Sequence, residues 1–233
     1  MKAGSLDVGR EAGNEAVMDE PEIQREAAAR LWATAQALAR RADSVRGGAP
    51  SRVPPLLFFT DPDRTPRPWE TAARMPAGSG VVYRAFAAAD ALETARRLRL
   101  VTIARGITLL IGRDPALAEA VGADGLHLPE RALSAAYALS GRHPDWILTG
   151  AVHSVAAARG TIGLDAVVLS PIFPAGGASA GKAALGVDAV DQASRQCRVI
   201  ALGGITPDNA ADLVGNGASG LAGVAAIQDA FAA

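Results

Sequence analysis

The chain reads as an α/β protein, a (β/α)8 (TIM) barrel with an extra N-terminal helix, on three observations. Eight short apolar runs recur between Leu56 and Val224. They are rich in Val, Ile and Leu without polar alternation, as strands of a parallel sheet are when helices cover both faces. Helical or turn-rich segments separate them, and repeated βα units at this spacing suit a closed barrel. An open, doubly wound sheet is the alternative. It should carry a Gly-rich dinucleotide turn after its first strand, where this chain has Thr60-Asp61-Pro62-Asp63-Arg64.

Three regions follow in order. Residues 1–20 mix Gly, Ala, Glu and Asp without periodicity and are expected to be a disordered tail or one left from expression. Residues 21–55 hold a helix and a linker. Pro21 opens the helix, Leu31, Trp32, Ala35, Leu38 and Ala39 form its apolar stripe, and arginines gather toward Arg46, where the dipole favours them. The Gly- and Pro-rich stretch from Gly47 to Pro55 ends it. Residues 56–233 form the barrel, with strands expected at Leu56–Thr60, Gly80–Ala85, Thr108–Gly112, Gly125–Pro129, Ile147–Val152, Ala166–Ser170, Val199–Leu202 and Gly220–Val224.

At 233 residues and 49% hydrophobic content, the chain is long enough for one large core. A net charge of −1 gives no reason to expect nucleic acid or an anionic membrane as partner. With Cys197 as its only cysteine, the chain can form neither an internal disulfide nor a thiolate zinc cluster, and burial before a strand is that thiol's expected fate. No run of 18 or more apolar residues and no leader pattern is visible, so a cytoplasmic, soluble protein is expected. A homo-oligomer is left open.

In such a barrel, chemistry belongs at the C-terminal ends of the strands. The last two strands open onto Leu202-Gly203-Gly204-Ile205 and Val224-Ala225-Ala226. Glycines admit close approach of the backbone, and unpaired N–H groups at a helix start favour an anion, so Gly203, Gly204, Val224 and Ala225 are expected to form a phosphate cup. The plain alternative is a strand-to-helix turn beside tight packing. The other residues at these ends are Thr60, Asp61, Arg84, Arg113, Asp114, His127, Glu130, His153 and Ser170 to Phe173. Arg84 offers a guanidinium fork for a carboxylate or phosphate, or an ion pair with Asp61 or Asp114. His127 points to the mouth or into a layer below it, as a core histidine. His143 is expected to be exposed, and the Asp61-Pro62-Asp63-Arg64 loop carries a turn signature.

Four segments, Gly122–Pro129, Val152–Val155, Ser170–Pro174 and Ala201–Ala210, resemble the thiamine-phosphate synthase and thiazole tautomerase (TenI-like) superfamily. The resemblance covers about Leu56 to Ala230. It implies a (β/α)8 barrel, a thiazole phosphate held by the last two strands, and a place in vitamin B1 biosynthesis.

The synthase branch joins a pyrimidine pyrophosphate to a thiazole phosphate and needs Mg²⁺ to absorb the charge of the leaving pyrophosphate. Its expected parts are altered here. The Gln-x-Arg-x-x-Lys-like motif after the second strand keeps only Arg84, Gly112-Arg113 stands in place of Asn-Asp, and Ala132 takes the position of a second metal carboxylate. Asp114 and Glu130 are the weak metal candidates that remain. The phosphate-contacting Thr-x-Thr-Lys becomes Ala175-Gly176-Gly177-Ala178, followed at a distance by Lys182, which either reaches the anion or is a solvated loop lysine.

The tautomerase branch needs no cofactor and uses a histidine at the end of the fifth strand, matched by His153. Imidazole suits proton shuttling because its unperturbed pKa is about 6.5. The hydroxyl residue two positions earlier in that motif is Ala151 here. Structurally, His153 could instead sit at a helix start and bond the turn.

Three functions stay in play: a metal-independent thiazole tautomerase, a synthase with a rebuilt Mg²⁺ site, and a non-catalytic sensor of a phosphate ligand. Each has a phosphorylated thiazole as its partner.

Overall fold

A computed structural model describes residues 19–47, 50–177 and 180–232. Its eight strands are β1 (Leu56–Phe59), β2 (Gly80–Tyr83), β3 (Thr108–Gly112), β4 (Gly125–Leu128), β5 (Ile147–Val152), β6 (Ala166–Leu169), β7 (Val199–Leu202) and β8 (Gly220–Gly223). All pair in parallel with their sequence neighbours, and β1 pairs with β8 to close the barrel. Every expected strand is present, and five end one or two residues early, where the chain leaves the ladder for the mouth loops. Most of the expected tail, residues 1–18, lies outside the described residues.

The apolar runs lack alternation because both faces are buried. Inside the barrel, Leu57, Phe59, Val82, Leu110, Val168, Ile200 and Ala222 form one cluster. Outward residues such as Leu56, Phe58, Val81, Leu109 and Ile111 join a second cluster beneath the helices.

The helices are α1 (Glu20–Arg46), α2 (Pro68–Ala72), α3 (Ala91–Arg105), α4 (Pro115–Val121), α5 (Ala136–Arg142), α6 (Val187–Ser194) and α7 (Ala225–Ala230). The βα repeat is incomplete. β5 is followed by turns through 153–165, and β7 by the 3-10 segment Ala210–Leu213. Gly160 and Gly163 both adopt positive φ, which fits turns and not a helix.

Helix α1 begins where Pro21 and an Asp19 side-chain cap on the Glu22 N–H place it. It packs on β1, β8 and α7. Its six-residue neighbour α7 spans only about 9 Å, so the 27-residue α1 supplies the cover that this side of the barrel lacks. Leu31, Ala35, Leu38 and Ala42 face inward, whereas Trp32 and Ala39 of the expected stripe are only half-buried. Arg198 and Asp43 form an ion pair at 2.6 Å that ties α1 to the start of β7.

Two further expectations are corrected. His143 is not exposed: it stacks on Trp146 with ring centroids 3.8 Å apart and lies 3.3 Å from Glu119. Cys197 is half-buried in the turn before β7. Among the described residues, no helix is long and apolar enough to cross a membrane.

Candidate active site

At the C-terminal mouth, a cavity of about 420 Å³ opens between the ends of β7 and β8 and the loops after β1 and β6. Gly203, Gly204, Val224 and Ala225 all line it. The double glycine is there for conformation and for space: φ is +96° at Gly203 and +68° at Gly204, and a Cβ on Gly204 would lie 2.4 Å from the Pro174 carbonyl oxygen. This contact presses the β7 loop against the loop after β6. The β7 loop is braced from behind as well. Asn209 donates to the Gly204 carbonyl at 2.8 Å, and its Oδ1 accepts from the Thr206 N–H at 2.8 Å.

The first N–H of α7 to close a turn is that of Gln228, on Val224 O at 3.0 Å. The N–H groups of Gly204, Ile205, Ala225 and Ala226 donate to no acceptor among the described residues. Four backbone donors on the wall of one cavity suit a phosphate without any cationic side chain.

The adjoining wall carries two guanidiniums, Arg64 and Arg84. Arg84 Nε donates to Thr60 O at 2.7 Å, and its guanidinium lies 5.4 Å from the Phe59 ring centroid and 5.2 Å from that of Phe86. Its Nη2 is buried without a hydrogen-bond partner and sits 3.9 Å from Asp61 Oδ2. Arg64 donates to the same Asp61 oxygen at 3.1 Å. Burial raises the pKa of Asp61, but the Arg64 hydrogen bond and both guanidinium charges outweigh it, so the net shift is downward. Desolvation lowers the pKa of Arg84, against the attraction of Asp61. In sequence, Arg64 reads only as a turn residue. The signal that would have found it is its place in the loop directly after a strand's C-terminal end.

His153 sits on the exposed rim, one side chain removed from the cavity. Its Nδ1 lies 3.0 Å from the carbonyl oxygen of Ser170, and Ser170 lines the cavity. Ser170 Oγ lies 3.3 Å from the same Nδ1. A carbonyl can only accept, so a bond to it takes Nδ1–H and leaves the lone pair on Nε2, whereas a bond donated by the Ser170 hydroxyl takes the other tautomer. The segment after β5 is a turn and not a helix, so the ring bonds the end of β6 and not a helix start. Glu130 Oε2 accepts from the His153 backbone N–H at 2.8 Å, which fixes the residue from the side of β4.

His127 lies inside the barrel. It shares a 3.0 Å hydrogen bond with Thr149 and meets Phe59 edge-on at 5.0 Å. Burial, reinforced by the Arg84 charge, pushes its pKa down to about 3, so it is neutral at physiological pH. Lys182 is exposed and does not line the cavity. Between it and Gly177, residues 178 and 179 lie outside the described residues.

The two metal candidates are committed to backbone. Asp114 Oδ1 accepts from the Leu117 N–H at 2.9 Å as the cap of α4, and Glu130 holds His153. Arg113, at φ +71°, stands beside Asp114, and position 132 is alanine. Among the described residues, no three His, Cys, Asp or Glu side chains converge as a metal site. This donor set does not fit a hard divalent ion, which needs several oxygens converging on it. The Asp in the Gly122–Pro129 segment has a structural job at the other end of the barrel: Asp124 accepts from Leu109 N–H at 2.7 Å and from Arg99 at 2.8 Å.

A family model described as thiamine monophosphate synthase matches residues 60–227. The thiamine-phosphate synthase of Azoarcus sp. (strain BH72) is 38% identical over 153 residues, covering 61% of this chain and 69% of that protein. That of Chlorobium luteolum is 31% identical over 184 residues, covering 76% and 86%. Among solved structures, thiamine phosphate pyrophosphorylase from Pyrococcus furiosus superposes with a TM-score of 0.62 at 21% identity, over 76% of this chain and 92% of that one. With the matched model spanning the strand ends that build the cavity, the chain belongs to the thiamine monophosphate synthase family of thiamine biosynthesis.

Proposed function

We propose that this chain binds a thiazole phosphate, with the phosphate in the β7–β8 cup, and acts as a metal-independent, TenI-like thiazole tautomerase with His153 as proton shuttle. The observation that carries this reading is the placement of His153: its Nδ1 lies 3.0 Å from the carbonyl oxygen of Ser170, a residue that lines the cavity, and the tautomer that donates to that carbonyl leaves a lone pair on Nε2. Held in that tautomer, the ring needs no rearrangement before it accepts a proton.

The phosphate anchors the ring against the backbone donors. Nε2 accepts a proton from one ring position and returns it at another, so a double bond shifts and no atom is gained or lost. While His153 is protonated, the Ser170 carbonyl accepts from Nδ1–H, and Glu130 holds the residue through its backbone N–H. No step runs through Mg²⁺.

The test is turnover of a carboxylated thiazole phosphate between its tautomers, followed by NMR in D₂O. His153→Ala should lose about 10²- to 10⁴-fold in rate, the usual share of general acid–base catalysis, with ligand affinity retained. Equal turnover in the variant would remove the mechanism.

A second reading, thiamine-phosphate synthase, is favoured by the names of the sequence relatives. Mg²⁺-dependent release of pyrophosphate from the two substrates, without tautomer turnover, would establish it over the first.

A further inference from the structure

The loop after β2 holds its backbone in strain. Phe86 and Ala87 adopt φ of +46° and +66°, and the Ala88 N–H donates to Ala85 O across them at 2.8 Å. Two left-handed residues under one such bond follow the pattern of a type I′ turn, which ordinarily takes Asn and Gly. Among the described residues, the non-glycine positions with positive φ are these two and Arg113. A residue with a Cβ is held there only where its surroundings over-determine it, and such outliers gather at ligand sites.

The turn presents a ring to solvent. Phe86 is 56% exposed, so burial of its side chain does not account for the strain. Its ring lies against Arg84, whose guanidinium carbon is 5.2 Å from the ring centroid. The same carbon is 5.4 Å from the ring of Phe59, which is 1% exposed in the barrel interior. The charge therefore sits between an interior ring and a surface ring, each attracting it through a negative face.

Arg84 has few other restraints. Its Nε donates to Thr60 O at 2.7 Å, but Nη2 is buried with no hydrogen-bond partner, and Asp61 Oδ2 stands 3.9 Å off. One hydrogen bond and two rings thus aim a guanidinium that lines the cavity. Without the outer ring it is free to turn toward water, where an arginine head is better solvated.

We propose that Phe86 is a positioning residue for Arg84: its ring covers the guanidinium from the solvent side and holds the unpaired Nη2 ready for the negative charge of a bound ligand. This rests on the proposed binding of a phosphorylated thiazole at the mouth. A single role then accounts for the strained turn and for the apolar ring left in water. A guanidinium fixed before the ligand arrives spares binding the entropy of ordering a long, rotamer-rich side chain.

Calorimetric titration with thiazole phosphate, in a double-mutant cycle on Phe86 and Arg84, tests the coupling. Phe86→Leu keeps apolar bulk but no π face, and should weaken binding by about 2- to 30-fold, the worth of a cation–π contact. Phe86→Tyr keeps the face and should bind within about twofold of wild type. Arg84→Gln should weaken binding by about 10- to 150-fold, as loss of a charge-assisted hydrogen bond does. In the Arg84→Gln background, Phe86→Leu should change nothing further, because the ring acts only through the guanidinium. Phe86→Gly relieves the turn, so it should melt no lower than wild type while binding at least as weakly as Phe86→Leu. Wild-type affinity in Phe86→Leu or Arg84→Gln, additive losses in the double variant, or a marked fall in melting temperature for Phe86→Gly overturns the assignment. Any of these in a chain that binds thiazole phosphate would sink this inference alone, whereas failure of the wild type to bind it would sink the inference together with the cup.

Discussion

Replacing Gly204 by alanine should damage binding and stability together, and the structure sets the size of both effects. An alanine at φ +68° sits in the left-handed region, which costs about 1–2 kcal/mol. Its Cβ would stand 2.4 Å from Pro174 O and 2.7 Å from Phe173 O, well inside the roughly 3.4 Å at which ordinary contact begins. Both neighbours are backbone and cannot rotate away, so the two loops must part, at a further cost of about 1–3 kcal/mol by analogy with overpacked cores. A total of about 2–5 kcal/mol in a chain of this size lowers the melting temperature by about 4–20 °C. Parting the loops also carries the Gly204 and Ile205 N–H groups off the phosphate. Losing one charge-assisted bond there weakens binding by about 10- to 150-fold. Gly122→Ala is the control. Its φ is +61° but nothing lies within 4 Å of the added Cβ, so it should pay the conformational cost alone and leave affinity untouched. Calorimetry with thiazole phosphate and thermal melts of both variants make the comparison. If Gly204→Ala binds thiazole phosphate as tightly as Gly122→Ala does, the phosphate does not sit at the ends of β7 and β8.

Three further outcomes follow from other parts of the molecule. The low His127 pKa, about 3 against an ordinary 6.5, means that the unfolded chain binds a proton in this window that the folded chain refuses. Its contribution to stability is complete above about pH 6.5 and is lost as pH falls toward 3, with a slope of up to about 1.4 kcal/mol per pH unit. Urea midpoints between pH 6.5 and 4 should therefore fall less steeply in His127→Gln than in wild type, and identical slopes would exclude His127 as the source. Leu31→Ala, at a fully buried position of α1, should cost about 2–5 kcal/mol and lower the melting temperature by several degrees, as a truncation in any core would. A near-neutral result would mean that α1 is not part of the cooperative unit. Measured beside the His153→Ala turnover, an unchanged affinity for thiazole phosphate in that variant separates the proton shuttle from the cup.

How much was legible in advance varies with how local the signal is. The eight strands could be read because a strand buried on both faces is an unbroken apolar run, a property of four or five consecutive residues. Helix α1 was legible for the same reason, from Pro21 at its start and a stripe with helical period. The missing helix after β5 was not, since Gly160 and Gly163 are single residues whose positive φ is visible only in the folded chain. The residues that line the cavity between β7 and β8 could be named from Gly203-Gly204 and Val224-Ala225, because loop glycines and a helix start leave backbone donors free wherever they occur.

The amino-acid sequence by itself determined the barrel, the α1 cover, the two strand ends proposed to hold the phosphate and the presence of a histidine at the end of β5, all of which depend on neighbours along the chain. Only the tertiary structure decided what the mouth residues do, because each role depends on a partner from another strand. Glu130 turned from metal candidate to anchor through the backbone of His153, 23 residues away. Asp114 became a helix cap, and His127 was assigned to the interior by its pairing with Thr149 on the next strand. Arg64 became a cavity cation because Asp61 holds it and the β6 loop passes beneath it as bare glycine. Side-chain chemistry is written in the sequence, but which groups face one another is set by the barrel's closure, which brings distant strand ends to a single rim.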